Sequence, residues 1–272
     1  MVVIRKQISL LYLIYILCKV IFPLFRVSFK LIWIVFQRGH LNLDLRSFGR
    51  RRSRIIVALD FHPPDKDPIK WWSHLLEEVG DLVAGVKIGL PAFFKVGVKG
   101  VSKLTQQFGG DVYFLADFKL ADIPVVVSEE IRQLSALGFN GSIVHLFPMG
   151  YEPVVEVARE LEHQIFGVTY MSHRGCRLFE ESFQTLLDYA LALGVDGVIV
   201  GASRPDKIRE ARKKLGDTAL ILSPGIGAQG MSPGAAIRTG ADFEIVGRAI
   251  TLSPEPRQAV IKMAEAQRGV ER

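Results

Sequence analysis

Downstream of residue 54 the chain repeats one pattern: a short, mostly continuous apolar run, then a longer stretch whose apolar residues recur every three or four positions. The apolar runs lie at 55–60 (IIVALD), 82–88 (LVAGVKI), 111–117 (DVYFLAD), 141–146 (GSIVHL), 164–170 (QIFGVTY), 195–200 (VDGVIV), 218–222 (TALIL) and 242–246 (DFEIV). Runs apolar on both faces are expected of parallel strands buried on both sides. The stretches between them, such as 127–137, 153–162 and 205–215, have helical periodicity, and Gly-Val-Asp or Gly-Ala-Asp turns close several of them as helix stops. Eight strand–helix units in about 215 residues predict an α/β fold, a (β/α)8 TIM barrel spanning residues 54–272 as one domain. An open doubly wound sheet fits less well, because no glycine-rich dinucleotide fingerprint follows the first strand.

The first 53 residues break this pattern and read as an atypical apolar, basic N-terminal extension. Within 1–36 the longest charge-free run is 7–18, and Lys19 ends it. A spanning helix needs about 20 predominantly apolar residues, and a lysine at mid-bilayer costs about 2.5–3.5 kcal/mol. Pro23 adds a kink, and no small-residue cleavage site marks a secretory signal. Lys19, Arg26 and Lys30 recur at helical spacing, as on an interfacial basic helix. An extension without function, a membrane-surface helix and an oligomer contact all remain open readings. Every chemical motif lies beyond residue 50, so a chain beginning near Arg51 is expected to be soluble and active.

Composition changes the picture in one respect. The net charge of +6 is concentrated at the start: residues 1–54 hold 11 Lys/Arg against the single acid Asp44, and the rest hold 23 against 27 acids. The body is mildly acidic and shows no basic stripe, so nucleic acid is not an expected partner. Cys18 and Cys176 alone make neither a disulfide framework nor a zinc site, which points to a reducing, cytoplasmic compartment. No His/Asp/Glu cluster has metal-ligand spacing and no cofactor motif is visible, so neither metal nor cofactor is expected.

A barrel of this kind builds its site at the C-terminal ends of its strands. Asp60 ends the first, Lys87 lies near the end of the second, and Asp117 ends the third, with Lys119 and Asp122 just beyond. Asp117 and Lys119, two apart at a strand end, can point the same way. With Asp60 and Lys87 they would form an array of alternating charge that keeps Lys119 protonated. A salt-bridge network closing the rim is the structural alternative. After the seventh strand, Pro224 leads into a loop where Gly225, Gly227 and Gly230 let backbone amides approach an anion, ahead of a helix N-terminus. After the eighth, Gly247 precedes Arg248, whose planar fork suits phosphate. His145 ends the fourth strand, where filling space is as good a reading as facing the site. Cys176 reads as packing, and Trp71 and Trp72 as cover for the barrel exterior.

The run LADFKLADIP at 115–124 resembles the Asp-x-Lys-x-x-Asp-Ile signature of the orotidine 5′-monophosphate decarboxylase family. VALD at 57–60, VKIG at 86–89, SHRG at 172–175, SPGIGAQG at 223–230 and IVGRAIT at 245–251 follow in the family's order, so the resemblance covers the whole barrel. It implies decarboxylation of orotidine 5′-monophosphate to uridine 5′-monophosphate, without a cofactor, with Lys119 protonating pyrimidine C6. Asp117 would sit against the substrate carboxylate and orient Lys119, while Asp60 and Lys87 would bind the ribose hydroxyls. Ser172 would meet the pyrimidine edge. Gln229 and Arg248, with backbone amides near Gly225 and Gly247, would hold the 5′-phosphate. Asp122 would reach across a homodimer interface into the partner's site. Many members have a threonine near position 126, also serving the partner; Val125, Val126 and Val127 are wholly apolar here. Related magnesium-dependent phosphosugar decarboxylases and synthases resemble the chain in Asp-x-Lys-x-x-Asp but carry a glutamate after strand two, where Lys87 stands. A catalytically silent, membrane-tethered barrel is a third reading, against which the intact charge array speaks.

Overall fold

The computed structural model describes residues 44–268 apart from 172, 174, 228 and 229, so the readings placed on 1–36 lie outside the described residues. Eight parallel strands form a closed barrel: β1 (Ile55–Ala58), β2 (Gly85–Gly89), β3 (Tyr113–Leu120), β4 (Gly141–His145), β5 (Gln164–Tyr170), β6 (Gly197–Val200), β7 (Leu220–Ile226) and β8 (Phe243–Val246). Each strand pairs with the next in sequence, and β8 closes on β1 through Ile55–Glu244, Ile56–Ile245 and Val57–Val246. The strands are rich in β-branched residues, and β1, β2, β6 and β8 are buried along their whole length, as the continuous apolar runs require.

The crossovers are α2 (Pro68–Val79), α3 (Leu90–Phe108), α4 (Pro124–Ala136), α5 (Glu152–Glu160), α6 (Arg177–Leu193), α7 (Pro205–Leu215) and the short α8 (Ala235–Arg238). The short α9 (Arg248–Thr251) and α10 (Pro256–Arg268) complete the described chain. Local chemistry sets their ends. Asp67 accepts a hydrogen bond from the Lys70 amide, Pro68 occupies the first turn, and α2 then buries Trp72, Leu75, Leu76 and Val79 on one face. Trp72 is therefore a core residue, only 1% exposed, rather than an exterior cover, while the partly buried Trp71 donates its indole N–H to the Thr251 carbonyl.

A further helix, α1 (Leu45–Arg51), precedes β1. Asp44 caps it through the Ser47 amide, and its Leu45 and Phe48 are fully buried. The Leu45 amide donates to Gln164 at the start of β5, and the Phe48 ring meets Tyr113 edge-on at the start of β3. The helix thus joins the ends of the strands remote from the site. The sequence reading placed it in the extension, because seven residues with two apolar anchors have too short a period to register.

Candidate active site

The third strand ends irregularly. Ala116 pairs with Ser142, but the next pair is Leu120 with Val144, so four positions on β3 span two on β4. Within this bulge Lys119 adopts φ 50°, a left-handed conformation that costs a side-chain-bearing residue about 1–3 kcal/mol. The bulge turns Asp117 and Lys119 into the barrel mouth, while Phe118 between them packs against Phe93 and Phe139. The two residues do share one direction, as their spacing suggested. A bulge, rather than regular alternation, achieves it.

Four side chains then form a continuous array. Lys87 Nζ lies 2.6 Å from Asp60 Oδ2 and 3.0 Å from Asp117 Oδ2, and Lys119 Nζ lies 2.6 Å from Asp117 Oδ1. Asp60 is fixed further by the Gly89 amide, 3.1 Å from Oδ1. A Cβ at residue 89 would run into that same oxygen, so only glycine fits there. Burial opposes the charge on Lys87, but Asp117 and Asp60 outweigh it and its pKa is raised. Burial likewise pushes the Asp117 carboxyl upward, and Lys87 and Lys119 reverse that and hold it below the usual carboxylate range.

These residues line a cavity of about 270 Å³ at the C-terminal ends of the strands. Ala58, Ile143, Ile199, Ile226 and Ile245 supply apolar wall beside the charges, and Phe61, Tyr170, Met171, Pro224, Gly225, Gly247 and Arg248 complete it. Nine of the expected site residues can be placed, and all but Asp122 border this one space: Asp60, Lys87, Asp117, Lys119, Pro224, Gly225, Gly247 and Arg248 meet there. Ser172 and Gln229 lie outside the described residues. Asp122 is exposed and is not among the lining residues; its Oδ1 accepts from the Ile123 amide and its carbonyl from the Tyr151 hydroxyl.

One expectation about the anion end needs correction. The helix after the glycine-rich loop is not open to an anion, because the carboxylate of Glu244 already accepts from the Gly234 and Ala236 amides at 2.9 and 3.1 Å. Glu244 is fully buried on β8 and also accepts from Gln267. What remains at this end is Gly225 with φ 112°, in a bulge of β7, together with Gly247 and Arg248. Among the described residues no carboxylate pairs with the Arg248 guanidinium, which sits over the Phe61 ring, 5.4 Å from its centroid.

Sequence reasoning also missed a cluster at the end of β5. The Tyr170 hydroxyl donates to Glu180 at 2.6 Å and receives a hydrogen bond from Arg204, whose guanidinium lies over the same ring. Burial and then Glu180 push the phenol pKa up. The cluster ties the end of β5 to α6 and to the start of α7, and its members come from three separate segments with no shared motif. His145 fills space, as one of its two readings held: its ring lies 5.1 Å from Phe147 and 5.8 Å from Phe179, outside the cavity lining. Burial, then Lys119, lowers its pKa, with Asp117 opposing. Cys176 also reads as packing, with its thiol 3.6 Å from the Met171 carbonyl.

A closed parallel barrel whose polar groups gather at one end of its strands defines a (β/α)8-barrel enzyme. A family model described as "Orotidine 5'-phosphate decarboxylase / HUMPS family" matches residues 53–263, and the chain belongs to that family. It is 34% identical over 218 residues to the orotidine 5′-phosphate decarboxylase of Methanococcoides burtonii, covering 79% of this chain and 97% of the relative. It is 36% identical over 230 residues to that of Aeropyrum pernix, covering 82% and 92%. The crystal structure of orotidine 5′-phosphate decarboxylase from Pyrococcus horikoshii superposes with a TM-score of 0.70 at 33% identity, over 79% of this chain and all of that one.

Proposed function

We propose that this chain decarboxylates orotidine 5′-monophosphate to uridine 5′-monophosphate, with Lys119 as the proton donor. The observation that carries the reading is the unbroken Asp60–Lys87–Asp117–Lys119 array beside an apolar wall. In the reaction the bond from pyrimidine C6 to its carboxylate breaks. Carbon dioxide leaves, the electron pair stays on C6, and an N–H proton of the Lys119 ammonium transfers to it. Asp117, held charged by two lysines, faces the substrate carboxylate. Departure of that carboxylate as neutral carbon dioxide relieves the repulsion between the two. Asp60 and Lys87 take the ribose hydroxyls and Ser172 the pyrimidine edge, while Gln229, Arg248 and the amides near Gly225 and Gly247 take the 5′-phosphate.

A placed acid contributes about 10²–10⁴-fold, whereas the slowest uncatalysed reactions need about 10¹⁷-fold or more. Most of the acceleration therefore falls to the preorganised charges and to phosphate binding energy applied to the transition state. A magnesium-dependent phosphosugar reaction is disfavoured on chemical grounds. Lys87 holds Asp60 and Asp117 through one ammonium group, which leaves neither carboxylate free to gather a divalent cation.

Absorbance-monitored loss of orotidine 5′-monophosphate in the presence of EDTA tests the reading. Wild-type protein should turn over, and Lys119→Ala should retain less than about a hundredth of its kcat while keeping its fold by circular dichroism. A folded Lys119→Ala variant with more activity than that removes the lysine from the role. Absence of nucleotide turnover both with and without EDTA would remove the reading.

The working unit in this reading is a homodimer in which each Asp122 serves the partner's site. Support comes from the exposed position of Asp122 outside its own cavity and from the apolar surface around it. Ile123, Val125 and Val126 beside it, Phe147 and Met149 after β4, and Leu90, Phe94 and Val98 along α3 are all exposed, Phe94 to 79%. Val126 brings apolar surface, not a hydroxyl, to this face.

A further inference from the structure

We propose that Phe61 is a positioning residue for Arg248, holding its guanidinium at the cavity mouth for the anionic end of the substrate. The inference rests on the phosphate role given to Arg248 above and extends it to a residue outside every motif that marks the family. Both side chains line the cavity, and the guanidinium carbon lies 5.4 Å from the Phe61 ring centroid, within the range of a cation–π contact. Phe61 is 47% exposed.

The chemistry of the contact suits the task. An arginine side chain has many rotamers, and a free one loses that freedom when it grips a ligand. A carboxylate neighbour would restrain it too, but would occupy the N–H donors and cancel the charge that an anion seeks. An aromatic face restrains the guanidinium through the ring quadrupole and leaves its in-plane donors available for phosphate oxygens.

The ring is itself well held. Asp60, the preceding residue, is pinned by Lys87 and the Gly89 amide. The Phe61 carbonyl accepts from the indole N–H of the buried Trp72 at 3.3 Å, and the His62 ring stands edge-on to the same indole. Pro63 and Pro64 then stiffen the turn into α2. Adjacent residues of one loop thus touch the charge array at one end of the cavity and the arginine at the other.

The measurement is the ratio of kcat/KM for orotidine 5′-monophosphate to that for the phosphate-free nucleoside. Phe61→Leu should lower this ratio about two- to five-fold, the size of an exposed cation–π contact, and Phe61→Trp should preserve it. In an Arg248→Ala background, Phe61→Leu should leave the ratio where Arg248→Ala alone puts it. Equal losses in the Leu and Trp variants, or the same Phe61→Leu effect with and without Arg248, overturn the proposal. If Arg248→Ala collapses the ratio but Phe61→Leu leaves it intact, the phosphate reading stands and the role of Phe61 falls. If Arg248→Ala leaves the ratio at the wild-type value, the phosphate reading fails and takes this proposal with it.

Discussion

Burial alone drives a lysine to shed its proton and an aspartate to keep one. Lys87 and Asp117 do the reverse, because each supplies the other's counter-charge. His163 has no such partner. It is buried, joined to Ser142 Oγ through Nε2 at 2.8 Å, and burial lowers its pKa to about 4. An unfolded chain takes up the histidine proton near pH 6.5, whereas the folded protein refuses it until about pH 4. The neutral ring's contribution is therefore fully present above about pH 6.5 and is lost as pH falls toward about 4, to a total of about 3 kcal/mol. We expect the urea midpoint of the wild type to fall more steeply between pH 7 and pH 4.5 than that of His163→Gln. Parallel pH dependences in the two proteins would assign the acid sensitivity to other groups.

Among the elements, α1 and the end of β3 depart most from what the residue pattern suggests. Helix α1 is short, yet Leu45 and Phe48 are fully buried, and each such side chain is worth about 1.5–3 kcal/mol of transfer free energy. A chain shortened to begin at residue 54 should be less stable than one beginning at residue 44 by about 3–6 kcal/mol in denaturant unfolding. Identical midpoints would show that the helix only rests on the barrel. In β3 the motif marked Asp117 and Lys119 as a pair but not the bulge that aims them. That bulge depends on pairing with β4, which begins more than twenty residues later. The Glu244 cap was equally hidden: a glutamate inside an apolar run identifies its amide partners only once β8 and α8 are adjacent.

For the molecule as a whole, the decisive question is which subunit Asp122 serves. If it completes the partner's site, Lys119→Ala and Asp122→Ala homodimers should both be nearly inactive. Re-paired mixtures should recover activity, because a two-fold heterodimer concentrates both defects in one site and leaves the other intact. With random pairing half the dimers are mixed, and about a quarter of all sites are whole. A mixed dimer demonstrated by differential tagging but showing no recovery would place Asp122 outside the partner's site. The apolar surface at Phe94, Ile123, Val125 and Phe147 gives a second handle, since charged substitutions there should dissociate the proposed dimer before they unfold the barrel.

Local pattern and local chemistry were enough to determine the alternation of eight strands with helices, the polar strand ends, and the placement of Asp60, Lys87, Asp117, Lys119 and Arg248 at those ends. These are properties of neighbouring positions: continuous apolar runs make buried strands, and a parallel barrel places their C-terminal ends together. Tertiary structure alone decided the rest. The left-handed Lys119, the cap on α8, the Tyr170–Glu180–Arg204 cluster, the burial of Trp72 and the ring under Arg248 all join residues far apart in the chain. Their physical cause is common to all of them. Packing and pairing energies between distant segments overrode what each residue would prefer by itself, and such energies exist only after the barrel has closed.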